Sequence, residues 1–174
     1  MRPKVIAVVG KHNAGKTTTV EAAIRELRKK GLTIAAIKTI HEPGFTIDTE
    51  NKDTWRFAQA GANTIVAVSP SEITTIEKVD TSNLTLDQIL DRCGDVDIVI
   101  LEGSKKLHEN LQIPPIVAVA SEEEAREASD SMKLIVAFTG PYPTDKSKSK
   151  IPYVDVNKNP SRLADMIIDA IRTE

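Results

Sequence analysis

The sequence predicts an α/β fold, a three-layer α/β/α sandwich around a mostly parallel sheet. Two observations lead to this prediction. Short apolar runs alternate with amphipathic helical segments along the chain, which is typical of right-handed βαβ units. Aromatic residues make up only 3% of the chain, so its core must consist of Val, Ile, Leu and Ala, which suits parallel strands that are buried on both faces.

The order of the predicted elements follows from the hydrophobic pattern. Strands are predicted at residues 5–9, 32–37, 63–68, 73–79 (as an edge strand), 98–101, 116–120, 134–138 and 153–156. Helices are predicted at residues 17–30, 53–60, 84–93 and 122–128, and from Pro160 to the end of the chain. Pro160 suits the first position of the last helix, where Asn159 would be its cap.

Length and composition predict a single nucleotide-binding domain over residues 1–174, in which residues 141–150 form a mobile loop of interleaved serines and lysines. The net charge of −2 argues against a nucleic-acid surface. No apolar run approaches the roughly 18–20 residues that span a bilayer, and Cys93 is the single cysteine. We therefore expect a cytoplasmic protein with no membrane and no nucleic-acid partner.

The most specific motif lies between the first strand and the first helix. Its sequence, Gly10-Lys11-His12-Asn13-Ala14-Gly15-Lys16-Thr17, matches G-x-x-x-x-G-K-[ST] at every required position. The glycines let backbone N–H groups point inward around phosphate, and the helix adds its positive end. Lys16 would reach the β- and γ-phosphates, and the Thr17 hydroxyl is a ligand for Mg²⁺. We predict a P-loop that binds a purine nucleoside triphosphate through residues 10–17 and the adjoining Thr18.

Two side chains inside this loop leave alternatives open. One large class of P-loop ATPases carries a lysine directly after the first glycine, and that lysine reaches the phosphates of the neighbouring subunit. Lys11 occupies the same place, so it either contributes across a homodimer or is an exposed loop lysine. His12 either touches the nucleotide or is solvated.

A P-loop also needs a carboxylate on a neighbouring strand for the Mg²⁺ shell or for positioning water. Asp97 and Glu102 bracket an apolar strand, and ligands bind beyond the carboxyl ends of strands in open α/β sheets. Glu102 is therefore the candidate, and Asp97 is a polar residue at the strand entrance. Asp48, in the polar loop at residues 39–51, is a second candidate, with a turn residue as its alternative role.

Together these residues resemble the molybdopterin-guanine dinucleotide biosynthesis adaptor protein (MobB) family of P-loop GTPases. The likeness covers about residues 4–104. Besides the P-loop, it is carried by Ile37-Lys38, Phe45-Thr46-Ile47-Asp48, Lys52-Asp53-Thr54-Trp55-Arg56, Ala60-Gly61-Ala62 and residues 97–103.

The resemblance implies a GTP-binding, weakly GTP-hydrolysing homodimer that acts mainly as an accessory protein. Its partner would be the guanylyltransferase that attaches GMP to molybdopterin, with Mg²⁺ as cofactor and the molybdopterin cofactor as a further ligand. Carried over to this chain, Lys16 and Thr17 would bind phosphate and Mg²⁺, and Asp48 and Glu102 would serve the metal and hydrolysis shell. Family members often have several histidines after the second strand's lysine, whereas here only His41 follows Lys38.

Two other functions remain open on the same fold. A nickel-insertion metallochaperone GTPase needs a Cys or His site, for which this chain offers one cysteine and three scattered histidines. An ATP-dependent small-molecule kinase or ligase needs a cation beside the γ-phosphate, and Lys38 is placed to supply it. No Asn-Lys-x-Asp guanine motif is present, so the residues alone leave guanine and adenine undistinguished.

Overall fold

The computed structural model describes residues 2–103, 112–144 and 149–172. The described strands are β1 (Lys4–Val9), β2 (Ile34–Lys38), β3 (Thr64–Val68), β4 (Ile73–Glu77), β5 (Ile98–Glu102), β6 (Pro115–Ala118) and β7 (Ala137–Thr139). The described helices are α1 (Lys16–Lys29), α2 (Asp53–Gln59), α3 (Leu86–Leu90), α4 (Glu122–Ser131) and α5 (Pro160–Arg172). The chain forms two compact units, one of Met1–Thr39 with Ile89–Glu174 and one of Ile40–Gln88. The prediction of a single domain stays a prediction.

The first unit is built on a parallel sheet with the strand order β2-β5-β1-β6-β7. Strands β5 and β6 are buried along their whole length, because helices cover both faces of the sheet. On one face, Ile6, Ile100 and Ile116 pack with the apolar stripes of α1 and α5. Val117 and Phe138 alternate to the other face, where they meet α4. This arrangement confirms the predicted three-layer α/β sandwich.

The local signals for the C-terminal helix are confirmed. Helix α5 begins at Pro160, whose missing N–H costs nothing at the first helical position. Its apolar stripe, Leu163, Ile167 and Ile171, is buried against the sheet and α1. Helix α5 thereby holds α1 in place behind the candidate phosphate loop.

The strand predicted at residues 73–79 is β4, which lies in a hairpin of the second unit. Strand β4 pairs antiparallel with β3, and these two strands form a sheet of their own. A tight turn joins them, in which the Ser69 N–H donates to the Glu72 carbonyl at 2.8 Å. So short a connection can join antiparallel strands but not parallel ones, which need a crossover.

Three elements after β4 differ markedly in extent or regularity from the sequence-based expectation. Leu134 has a left-handed backbone, so β7 begins only at Ala137. Tyr153 forms a single parallel bridge with Phe138, so residues 153–156 are not a regular strand. The helix expected at residues 84–93 is shorter and ends in a 3-10 turn, Asp91–Cys93.

Part of the predicted mobile loop, residues 145–148, lies outside the described residues. Its described flanks, residues 141–144 and 149–150, contain neither helix nor strand. Throughout residues 2–103, 112–144 and 149–172, every helix is too short or too polar to span a bilayer.

Candidate nucleotide-binding site

The candidate phosphate loop joins β1, the central strand of the sheet, to α1. Gly10 and Gly15 have φ values of +150° and +90°, and Asn13 is also left-handed at +58°. A Cβ on Gly10 would lie 2.4 Å from the carbonyl oxygen of Ala118 on the neighbouring strand, so only glycine fits there. Ala14 is fully buried beneath the loop. The loop therefore has the strained, glycine-dependent backbone that the motif predicts.

The N-terminus of α1 carries no cap of its own. Its N-cap residue is Gly15, no side chain bonds the first-turn N–H groups, and the first turn contains no acidic residue. Because these donors and the positive end of the helix dipole have no partner among the described residues, the site is suited to an anion. The Lys16 Nζ donates to the Lys11 carbonyl at 2.6 Å, so the lysine folds back across the loop. Thr17 and Thr18 are exposed on the first turn.

The segment after β7 packs against the candidate phosphate loop, a contact that no motif in the sequence predicts. Gly140 has φ +99°, and a Cβ there would lie 2.6 Å from the carbonyl oxygens of both Ala14 and Val119. The hydroxyls of Thr19 and Thr139 are 2.9 Å apart and buried. The one signal for this contact in the sequence is a glycine two residues after the strand predicted at residues 134–138.

Glu102 ends β5, the strand beside β1, as predicted. It stands opposite Val8, and the Gly103 N–H donates to the Val8 carbonyl at 3.1 Å. The Glu102 side chain is only 8% exposed and forms an ion pair with Lys38 at the end of β2. The structure thus brings a buried carboxylate to the strand end from which the phosphate loop departs. The part that Glu102 plays in metal binding or hydrolysis stays a prediction.

Asp97 lies at the opposite end of the same strand, which agrees with a structural role. Its carboxylate accepts hydrogen bonds from the Thr33 N–H and the Thr33 hydroxyl, each at 2.7 Å. These bonds favour the charged form and lower the pKa of Asp97 below its usual value.

Lys11 has a partner within its own chain. Its Nζ lies 3.0 Å from Glu127 Oε2 on α4, with both side chains more than half exposed. This hydrogen-bonded pairing raises the pKa of Lys11. The prediction that Lys11 acts across a homodimer is not tested by this contact. His12 and Asn13, beside it, are exposed.

Asp48 belongs to the second unit, where it organises the polar loop before α2. Its Oδ1 accepts hydrogen bonds from the Thr49 N–H and the Thr54 hydroxyl, each at 2.9 Å. Its Oδ2 is buried and lacks a hydrogen-bond partner among the described residues. These contacts are those of a turn residue, the alternative role of Asp48, and its Oδ2 stays available as a buried acceptor.

The oxygen donors of this chain fit Mg²⁺. The first unit offers the exposed Thr17 hydroxyl and the Glu102 carboxylate, and Mg²⁺ is held by one or two carboxylates together with nucleotide phosphates. In the part of the chain that the structure describes, no three His, Cys, Asp or Glu side chains converge as an all-protein metal site. The residues present thus suit a metal that arrives with a nucleotide.

A small cavity adjoins the start of the phosphate loop. It measures about 190 Å³ and lies between the ends of β1 and β6 and helix α4. Val117, Val119 and Met132 form apolar walls, and Lys11 and Glu127 also line it.

Comparison with known proteins places this geometry in a family. Residues 5–139 match the model of MobB, described as molybdopterin guanine dinucleotide synthesis protein B. The match therefore continues beyond residue 104, where the likeness in motifs ended.

Individual relatives agree with the family model. A Methanocaldococcus jannaschii protein, provisionally described as a molybdopterin-guanine dinucleotide biosynthesis adapter, is 32% identical over 76% of this chain and 54% of its own length. The chain thus matches about half of that relative. The Haemophilus influenzae adapter protein of the same description is 26% identical over 94% of this chain and 86% of its own length. A crystal structure of molybdopterin-guanine biosynthesis protein B superposes with a TM-score of 0.72 at 26% identity, covering 95% of this chain and 98% of that chain.

The matched region includes β1, the glycine-dependent loop, the open start of α1, and Glu102 at the end of β5. By this match, which covers more than half of its residues, the chain belongs to the MobB family.

Proposed function

We propose that the protein is a GTP-binding adaptor with weak GTPase activity that assists the guanylyltransferase step of molybdopterin-guanine dinucleotide synthesis. The observation that carries the proposal is the uncapped start of α1 behind a P-loop, in a chain of the MobB family. Relatives described as biosynthesis adapters support the accessory role. The guanine base, the guanylyltransferase and the molybdopterin cofactor come from the family resemblance.

Each site residue has a proposed role that follows from its chemistry. Lys16 and the N–H groups of the loop would bind phosphate, and Thr17 and Glu102 would hold Mg²⁺. The metal would neutralise charge on the triphosphate. The role of Asp48 in the metal and hydrolysis shell comes from the family resemblance alone. Slow turnover is expected, because we identify no glutamine or arginine finger in the loop to orient water or neutralise the transition state.

A homodimer is part of the proposal, and the second unit supports it. Val66, Val68 and Ile73 lie on one face of the β3–β4 hairpin, and Val68 and Ile73 are 74% and 72% exposed. An apolar face of this kind on a two-stranded sheet marks an interaction surface. Sedimentation of wild-type protein and of Val68→Asp would test this: a dimer that V68D converts to monomer supports it, and a monomeric wild type contradicts it.

Calorimetric titration with non-hydrolysable GTP and ATP analogues, with and without Mg²⁺, tests the nucleotide assignment. We expect Mg²⁺-dependent binding of the guanine analogue alone, and Glu102→Gln should weaken the Mg²⁺ dependence. Asp48→Asn should lower turnover more than affinity.

Capture of the guanylyltransferase by GTP-loaded protein but not by GDP-loaded protein would then support the adaptor role. Equal binding of both analogues would contradict guanine specificity.

One observation favours a second candidate, an ATP-dependent small-molecule kinase or ligase. The cavity of about 190 Å³ beside Gly10 and Lys11 has room for part of an acceptor molecule. Preferred binding of the adenine analogue, followed by turnover with a small acceptor, would select this candidate over the adaptor. A cytoplasmic location remains a prediction for either candidate.

A further inference from the structure

The ion pair between Lys38 and Glu102 sits where a metal ion is expected. The two residues end the adjacent parallel strands β2 and β5 and stand directly opposite each other in register. The Glu102 side chain is 8% exposed, whereas the Lys38 side chain is 54% exposed. The carboxylate is therefore held in the protein, while the lysine is free to move its ammonium group into solvent.

Burial explains why the pair forms. A carboxylate removed from water must be compensated by a cation or by hydrogen bonds. The Thr39 side chain does not do this, because its hydroxyl donates to the backbone carbonyl of Glu102, at 3.1 Å. The Lys38 Nζ donates to Glu102 Oε1 and supplies the compensating charge.

Mg²⁺ requires the same carboxylate. A divalent cation on Glu102 and an ammonium group on the same side chain would repel each other at short range. If Glu102 joins the metal shell, as the proposed function requires, the ammonium of Lys38 must leave it. The flexible four-carbon stem and high exposure of Lys38 allow this movement.

We propose that Lys38 is an exchangeable cation of the nucleotide site, which neutralises Glu102 in the free protein and binds the terminal phosphate after Mg²⁺ displaces it. The end of β2 opens on the same edge of the sheet as the ends of β5 and β1, so the freed ammonium remains at the crevice. A third phosphate provides the negative charge that the lysine loses when it leaves Glu102. Lys38 thereby distinguishes a triphosphate from a diphosphate. This inference rests on the proposed function.

The test uses Lys38→Met, which keeps the stem and removes the charge. With GDP bound, the Mg²⁺ concentration at half-saturation should fall by about threefold or more, because the metal no longer competes with an ammonium group. At saturating Mg²⁺, the affinity for a non-hydrolysable GTP analogue relative to GDP should fall on the order of tenfold, because the terminal phosphate loses a charged partner. Both quantities come from calorimetry, with thermal unfolding recorded to verify the fold.

Two variants make the result specific. Lys38→Arg retains the charge and can pair with the Glu102 carboxylate through two N–H groups, so its Mg²⁺ midpoint should be no lower than that of wild type. Lys30→Met removes another ion pair of the first unit, that with Asp165 at 2.7 Å, and should change neither quantity. If folded K38M shows the wild-type Mg²⁺ midpoint and the wild-type GTP-to-GDP ratio, Lys38 only holds Glu102 structurally and the inference is wrong. If wild-type protein binds neither nucleotide, the proposed function itself fails.

Discussion

Helices α1 and α4 begin at equivalent places in the first unit, yet their N-termini are opposite in character. Each follows a loop from the end of one of two neighbouring parallel strands, β1 and β6. At α4, the Ser121 hydroxyl accepts from the Glu124 N–H at 3.2 Å, and Glu124 accepts from the Ala120 N–H at 2.8 Å. Three glutamates also occupy the first turn of α4. Helix α1 has a glycine N-cap, no side-chain cap and no acidic residue in its first turn.

The two helices use their N-terminal N–H groups differently, α4 for its own stability and α1, in our proposal, for binding phosphate. The Ser121 cap satisfies a first-turn N–H of α4 and the three glutamates complement its dipole, so the start of α4 is stabilised by its own side chains. Helix α1 leaves the same groups for an external anion and depends on packing from α5 and from Gly140 to stay in place. This contrast between an open helix start and a self-capped one supports the proposed phosphate site at the start of α1.

The largest expected effect comes from removing the charge of Lys16 at the uncapped N-terminus of α1. Lys16→Met should weaken binding of a Mg²⁺–GTP analogue by about 10- to 100-fold, because a hydrogen bond from a charged group contributes about 1.5–3 kcal/mol. Calorimetry measures the loss. Lys29→Met, at the other end of the same helix, is the control and should bind as wild type does. Equal affinities of K16M and K29M would show that the start of α1 is not the phosphate site.

Gly140→Ala tests whether α1 and its loop depend on the support from β7. The new Cβ would lie 2.6 Å from two carbonyl oxygens, so we expect a loss of about 2 kcal/mol in the free energy of unfolding. Gly31→Ala is the matched control, because Gly31 also has a positive φ but nothing within 4 Å of the added Cβ. Urea denaturation compares them. A G140A variant no less stable than G31A would refute the close packing.

Thr18→Glu sharpens the comparison by giving α1 a feature of α4. Thr18 and Glu124 both occupy the third position of their helices. A glutamate there should stabilise the free protein by about 0.3–1 kcal/mol through the helix dipole, and should weaken nucleotide binding about tenfold by repelling phosphate. Thr18→Gln separates charge from size. Urea denaturation and calorimetry should show changes of opposite sign, and stronger nucleotide binding by T18E would count against the comparison.

The smallest effect on nucleotide binding is expected at the capped N-terminus of α4. Ser121→Ala removes the cap of α4 and should lower the free energy of unfolding by about 1 kcal/mol. Nucleotide affinity should remain unchanged, since the groups that Ser121 satisfies belong to α4 alone. Urea denaturation and calorimetry on the same preparation provide both values. A loss of affinity in S121A would show that α4 contributes to the binding site.

Prediction from the sequence succeeded where the signal is local. Neighbouring residues alone provide the signals for the P-loop motif, for the apolar strands β1 and β5, and for the start of α5 at Pro160. The structure places each of these elements as expected. The sequence predicts the strand at residues 73–79 but not its pairing with β3, because a strand-forming pattern does not specify the partner strand. The strand expected at residues 134–138 began too early, because left-handed Leu134 carries no sequence signature.

The sequence by itself determined the fold class, the glycine-dependent loop after β1 and the positions of Glu102 and Asp97 at opposite ends of β5, since each depends on spacing along the chain or on the direction of one strand. Only the tertiary structure decided which distant groups meet. Strand order and register set three such contacts: Gly140 with Ala14, Lys11 with Glu127, and Lys38 with Glu102. The physical reason is that a parallel sheet brings the carboxyl ends of separate strands to one edge, and nothing in the local pattern of any one strand specifies its neighbour there.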